Sequence, residues 1–196
     1  LSFNRIYHIP LLNFPALHSL YLNDNQISDH AATALAETLA RLPKLKTLEL
    51  RGNQIGWQGA TALASRISGN THLRRLKLGH NRVGDRGAAA LALAMLYLPN
   101  LERLELTNNG LADDGARALA NSISETSALF GLSLAHNQIT DDGALALAQA
   151  LARAPSFLRL NLTNNQISDE AALAMAQLLA DKADLQMLRL SCNQIT

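Results

Sequence analysis

Seven asparagines, Asn25, Asn53, Asn81, Asn109, Asn137, Asn165 and Asn193, follow one another at intervals of 28 residues, and no other feature constrains the chain as much. Ahead of each, apolar residues recur eight, five and three positions back: Leu17, Leu20 and Leu22 before Asn25, Leu45, Leu48 and Leu50 before Asn53, and so on to Leu185, Leu188 and Leu190 before Asn193. Two residues after each Asn comes Ile27, Ile55, Val83, Leu111, Ile139, Ile167 or Ile195. A chain built this way is a stack of one supersecondary unit, since a single unit buries its apolar side only against its neighbours.

The spacing has a mechanical meaning. In Leu20-Tyr21-Leu22 the alternation is that of a strand, leucines on one side and the tyrosine on the other. A buried asparagine after such a strand must satisfy both amide donors and its carbonyl. Stacked Asn side chains do so by bonding the turn backbone above and below, so these residues are read as structural. The second half of each unit reads as a helix: Gly59-Ala60-Thr61-Ala62-Leu63-Ala64 recurs at 87–92, 115–120 and 143–148, with looser versions at Ala31 and Ala171. Asp29, Asp85, Asp113, Asp141 and Asp169 precede these helices and suit a cap or the helix N-terminal dipole. Trp57 takes the aspartate's place in one repeat and is expected to pack its ring over the turn, with a binding contact as the alternative.

Strands stacked in parallel lie about 4.8 Å apart, while helices need about 10 Å each. The mismatch bends the stack, with strands on a concave face and helices on a convex one. The fold class read from the sequence is therefore α/β, a solenoid forming a horseshoe segment. Residues 17–196 form seven repeats, the last incomplete. Residues 1–16 read as a remnant of a shorter repeat, because Asn4 stands only 21 residues from Asn25 and Pro10 and Pro15 leave no room for a three-turn helix. Leu1 is not a natural start and neither end carries a polar cap, so the single domain 1–196 is read as a piece of something longer.

The pattern L-x-x-L-x-L-x-x-N-x-I followed by a Gly-Ala helix resembles the leucine-rich repeat family, from Leu17 to Thr196. The 28-residue length and full helix resemble its ribonuclease-inhibitor-like class. So does the alternation of Pro43, Pro99 and Pro155 with Thr71, Ser127 and Ala183, which gives two kinds of helix exit. The prototype's many cysteines are missing, so inhibition of ribonucleases does not carry over. The Gly143-Ala144-Leu145-Ala146 wording also resembles GALA-type repeats of effectors that plant-pathogenic bacteria inject into host cells, although the F-box of those effectors has no counterpart in these residues. That resemblance implies work in host cytoplasm after secretion.

Function is expected on the variable positions between the leucines. The middle strand position runs Tyr21, Glu49, Lys77, Glu105, Ser133, Asn161, Arg189, and two residues earlier the row is Ser19, Thr47, Arg75, Arg103, Gly131, Arg159, Met187. Two residues later it is Asn23, Arg51, Gly79, Thr107, Ala135, Thr163, Ser191. Repeats two to four thus gather Lys46, Arg51, Arg74, Arg75, Lys77 and Arg103, with Glu49, Glu102 and Glu105 among them. Glu49, Lys77 and Glu105 are expected to form a ladder across adjacent strands. Arg75 and Arg103 have no acid in their row and are the first candidates for an acidic partner surface. Tyr21, Phe130 and Arg159 complete the candidate partner-binding set. Phe130, Leu158 and Met187 either offer an apolar rim to a partner or pack on neighbouring loops.

The expected function is a protein-interaction scaffold that is not an enzyme and needs no cofactor or metal. The net charge of +1 gives no overall drive toward nucleic acid or membrane, so neither is expected as a partner. The apolar run Ala88 to Leu98 is too short to span a bilayer. Cys192 is the only cysteine, which excludes a disulfide framework and favours a reducing, cytoplasmic compartment. His80, His136 and Cys192 occupy equivalent places just before the Asn, but two strand spacings, about 10 Å, separate each from the next, too far for one metal. They are read as turn residues. Two alternatives stand beside the scaffold. The repeats also resemble those of a Ran GTPase-activating protein, which implies regulation of a small GTPase, with an arginine such as Arg51 as the candidate. The other is a purely structural segment of a larger protein.

Overall fold

The computed structural model describes residues 14–123, 126, 128–154 and 156–196. The expected shorter repeat falls almost wholly on residues 1–13, and the helix-exit residues Ser127 and Pro155 also lie outside the described residues. Seven three-residue strands form one parallel sheet in sequence order: β1 (Ser19–Tyr21), β2 (Thr47–Glu49), β3 (Arg75–Lys77), β4 (Arg103–Glu105), β5 (Gly131–Ser133), β6 (Arg159–Asn161) and β7 (Met187–Arg189). Six helices alternate with them: α1 (Asp29–Leu39), α2 (Trp57–Ile67), α3 (Gly84–Met95), α4 (Asp113–Ile123), α5 (Asp141–Arg153) and α6 (Asp169–Leu178). The register between neighbouring strands is one repeat, Leu20 beside Leu48 beside Leu76, so every row predicted from the spacing is a physical row. This is the α/β solenoid.

One continuous core runs between sheet and helices. Leu45, Leu48 and Leu50 are fully buried, as are Leu35 and Leu63 from the helices, and each such side chain contributes about 2 kcal/mol. Ala32, Ala60, Ala88, Ala116 and Ala144 are sealed between adjacent helices, where larger side chains would hold the helices apart.

The asparagines form the ladder expected of them. Asn81 Nδ2 donates to the carbonyls of Leu78 in its own repeat and Leu50 in the preceding one, both at 2.9 Å, and its Oδ1 accepts the Ile55 N–H at 3.0 Å. Asn53, Asn137 and Asn165 repeat the arrangement. The residue just before each Asn takes a left-handed backbone, at Asp24, Gly52, His80, Asn108, His136, Asn164 and Cys192. Glycine, asparagine and aspartate tolerate that conformation best, which explains four of the seven.

The helix-leading aspartates do something the sequence did not indicate. Each sits in the first turn of its own helix, but its carboxylate reaches forward to the next. Asp29 Oδ1 accepts the N–H groups of Gly56 and Gly59 at the start of α2, at 2.7 and 2.8 Å. Asp85 does the same for Ala112 and Gly115, and Asp113 for Thr140 and Gly143. The glycines are what make room: a Cβ on Gly59, Gly115 or Gly143 would lie 2.5–2.6 Å from the carboxylate oxygen. Where Ala171 replaces glycine, Asp141 bonds only the N–H and hydroxyl of Ser168, and the Ser168 Oγ accepts the Ala171 N–H instead. Trp57 removes the carboxylate that would serve α3. That helix starts from Gly84 at φ +58°, its N–H taken by the Asn109 carbonyl. The Trp57 ring is 43% exposed and carries the Arg86 guanidinium at 5.3 Å.

The alternation of helix exits also has a structural basis. Leu42 and Leu98 are buried at the position where Asn70 and Lys182 instead reach back to the preceding repeat, donating to the carbonyls of Leu42 and Ala154.

Candidate functional site

Side chains between the leucines point away from the helices and compose the open face of the sheet. Its three central rows hold six cations, Arg51, Arg75, Lys77, Arg103, Arg159 and Arg189, against two carboxylates, Glu49 and Glu105. With a whole-chain charge of only +1, the remaining surface is net acidic. The basic character of this face is therefore a local property, set by which residues fall between the leucines.

The cations divide by how they are held. Lys77 Nζ lies 2.7 Å from Glu49 Oε1, and Arg74 Nη1 2.6 Å from Glu102 Oε1. Burial pushes the Glu49 carboxyl up, but hydrogen bonds from Lys77 and Asn23 outweigh it and hold the group below its ordinary value. Only half of the expected ladder forms. Lys77 turns to Glu49, and Glu105 makes no ion pair among the described residues.

Arg75 and Arg103 are directly paired in register, as the row predicts. Arg103 leans toward the following repeat, where its guanidinium stacks on the Phe130 ring at 4.9 Å. That contact settles half of the question about the rim: half-buried Phe130 serves as a platform for an arginine, while Leu158 is half-buried beside it. Arg159 likewise reaches to the next repeat, its Nε and Nη2 donating to Gln186 Oε1 at 3.2 and 3.0 Å. Tyr21, Lys46 and Arg51 are exposed at the N-terminal side of the face.

The structure brings Lys77, Arg103 and Arg159 together in one groove of about 290 Å³, with Glu105, Ser133 and Asn161, and places the glycine of β5 in its floor. The sequence reading centred the site on repeats two to four. The groove instead runs from Lys77 in repeat three to Met187 in repeat seven, because Gly131 leaves a gap in the arginine row. The rows of residues already contained this signal, a small residue between two arginines. Tyr21, Lys46, Arg51, Arg74, Arg75 and Phe130 do not line the groove.

Two other surfaces lie away from the strand face. On the turn edge, Asn108 Nδ2 meets His80 Nδ1 at 3.1 Å and Asn164 Nδ2 meets His136 Nδ1 at 2.8 Å, so the turn histidines have amide partners. On the helix side, Leu93, Leu96 and Tyr97 are 65, 44 and 66% exposed at the end of α3, in the run considered above only for its length. No helix among the described residues is long and apolar enough to cross a membrane. Nor do the described residues contain a cluster of three His, Cys, Asp or Glu side chains able to hold a metal.

No curated protein sequence matches the chain. Among solved structures, it is similar to leiomodin-1 actin-binding site 2, with a TM-score of 0.61 at 17% identity over 68% of this chain and 78% of that one, a likeness of fold. A sequence profile described as Leucine Rich repeat matches residues 15–36, 41–64, 69–92, 97–120, 132–148 and 154–176, more than half of the chain. With its in-register asparagine ladder and its strand–helix alternation, this chain belongs to the leucine-rich repeat family.

Proposed function

We propose that this chain is a protein-binding scaffold whose open strand face holds an acidic partner surface. One observation carries the reading: Arg75, Arg103 and Arg159 share a single row of the sheet, and no carboxylate among the described residues pairs with them. An anionic surface laid against this row relieves the repulsion between neighbouring arginines, and long-range attraction speeds the encounter. Rigidity adds to this. The face is fixed by the asparagine ladder behind it, so binding orders little of the chain. Leiomodin-1 actin-binding site 2 shares the fold and is by its name a protein-binding site, the kind of use proposed here.

The packing accounts for the Gly-Ala wording of the helices, since the glycines admit the aspartate of the preceding repeat. The scaffold reading therefore rests on the strand face and not on that wording.

The test is an affinity capture from cell lysate with the chain and with an Arg75→Glu, Arg103→Glu variant. The scaffold reading expects one set of proteins retained by the first and lost by the second, with retention falling as salt rises. Equal capture by both would remove the arginine row from the interface.

A further inference from the structure

Among the described residues Gly131 is the only glycine in a strand, and nothing in the backbone requires it. Gly52, Gly84 and Gly110 hold left-handed φ values, and Gly59, Gly115 and Gly143 face aspartate oxygens. At Gly131 the backbone is ordinary, and an added Cβ would meet only Arg103 Cγ at 3.7 Å and Arg159 Cβ at 4.0 Å, both comfortable contacts. A strand glycine weakens its strand, and where the fold does not call for one it marks a place where another group approaches closely. Here it leaves a gap of one side chain in the sheet row, with an arginine on either side.

The two arginines are held by uncharged groups. Arg103 lies over the Phe130 ring, and Arg159 is bonded to the Gln186 amide oxygen. Stacking leaves the in-plane N–H donors of a guanidinium free, and an amide oxygen fixes its position without neutralising it. Arg74 and Lys77, nearby, are neutralised by Glu102 and Glu49. The groove thus offers two pre-positioned cations, and an anion seated between them desolvates neither carboxylate pair. Glu105 lines the same groove and sets the charge of the visitor. With Lys77 held by Glu49, Glu105 offsets one of the two arginine charges, so a carboxylate balances the groove whereas a dianionic phosphoryl group leaves it negative.

We propose that the gap over Gly131 receives one carboxylate side chain, aspartate or glutamate, from an extended acidic segment of the protein partner. The proposal rests on the strand face being the protein-binding surface and adds where on it an acid is read.

Fluorescence anisotropy with labelled hexaglutamate, and hexaglutamine as control, tests it at low ionic strength on the chain, on Gly131→Leu and on Arg75→Glu, Arg103→Glu. The side-chain Nε–H signals of the arginines are followed in parallel by NMR. Hexaglutamate is expected to bind and to move the Arg103 and Arg159 signals but not that of Arg117. Gly131→Leu fills the gap and weakens binding about tenfold, the worth of one charge-assisted contact. Gly131→Ala, whose Cβ the site accommodates, gives an intermediate loss and guards against a misfolded leucine variant. If Gly131→Leu, folded by its circular dichroism, binds as the parent does while the double arginine variant does not, the gap is not the site and the basic face survives. If hexaglutamate fails to bind, or binds all three alike, both readings fall. A phosphoserine hexapeptide or a single-stranded oligonucleotide bound tenfold tighter than hexaglutamate would overturn the carboxylate assignment.

Discussion

The turns behind the strands and the strand face itself treat their polar groups in opposite ways. In the turns, Asn53, Asn81, Asn137 and Asn165 are buried and bond the backbone of their own repeat and the one before, in the same geometry each time. On the face, equivalent positions hold tyrosine, glutamate, lysine, serine or arginine, and Arg103 and Arg159 are held by uncharged groups. A group that is buried must be fully bonded, which leaves no freedom of residue type. A group facing solvent pays no such penalty, so the face is free to be shaped by what it binds. The frame and the site are thus separable, and substitutions should affect one without the other.

The largest effect belongs to the turns. Asn81→Ala strands the Leu50 and Leu78 carbonyls and the Ile55 N–H, and is expected to lower unfolding free energy by about 3 kcal/mol or more, read from the urea midpoint. Hexaglutamate affinity per folded molecule should stay as it was; a parallel loss of affinity would join frame and site into one. Next comes the link between helices. Asp85→Ala should cost about 1 kcal/mol, as loss of a helix cap does. Gly115→Ala should cost more in the parent than in the Asp85→Ala background, because its Cβ collides with that carboxylate. Additive costs in that double-mutant cycle would argue against the forward-reaching aspartate.

The face should behave the other way round. Arg75→Glu with Arg103→Glu is expected to change stability by only about 0.5 kcal/mol while removing the affinity for acidic probes. A large stability loss would mean that the row is structural. The smallest effect concerns pH. The Glu49 carboxyl titrates below its ordinary value of 4.5 in the folded chain, so its contribution is complete above that value and disappears as pH falls through the folded value. Urea midpoints from about pH 6 to about pH 3 should therefore fall less steeply in Glu49→Gln, by about 0.5 kcal/mol over that range.

Much of this was legible beforehand. The triplet of leucines, the asparagine and the Gly-Ala helix fix which side chains are inward, and the pairing of Arg75 with Arg103 followed directly from the repeat length. The pairing of Lys77 did not. Residues Glu49 and Glu105 flank it symmetrically in the sequence, and only side-chain packing, with Asn23 bonded to Glu49, favours the first. The aspartates misled in a similar way. Their place in the first helical turn is the sequence mark of a cap for that same helix, whereas the carboxylate spans to the next repeat because glycine leaves space there.

By itself the sequence determined everything that a period can carry: the parallel register, the buried rows, the asparagine ladder and the list of residues facing out. These follow because contacts in a stack recur at one separation, and that separation is printed in the chain. Only the tertiary structure decided which neighbour each polar side chain turns to, and that Gly131 opens a gap between Arg103 and Arg159. Those outcomes depend on rotamers, reach and the room left by the residue one repeat away, which are distances in space that no spacing along the chain encodes.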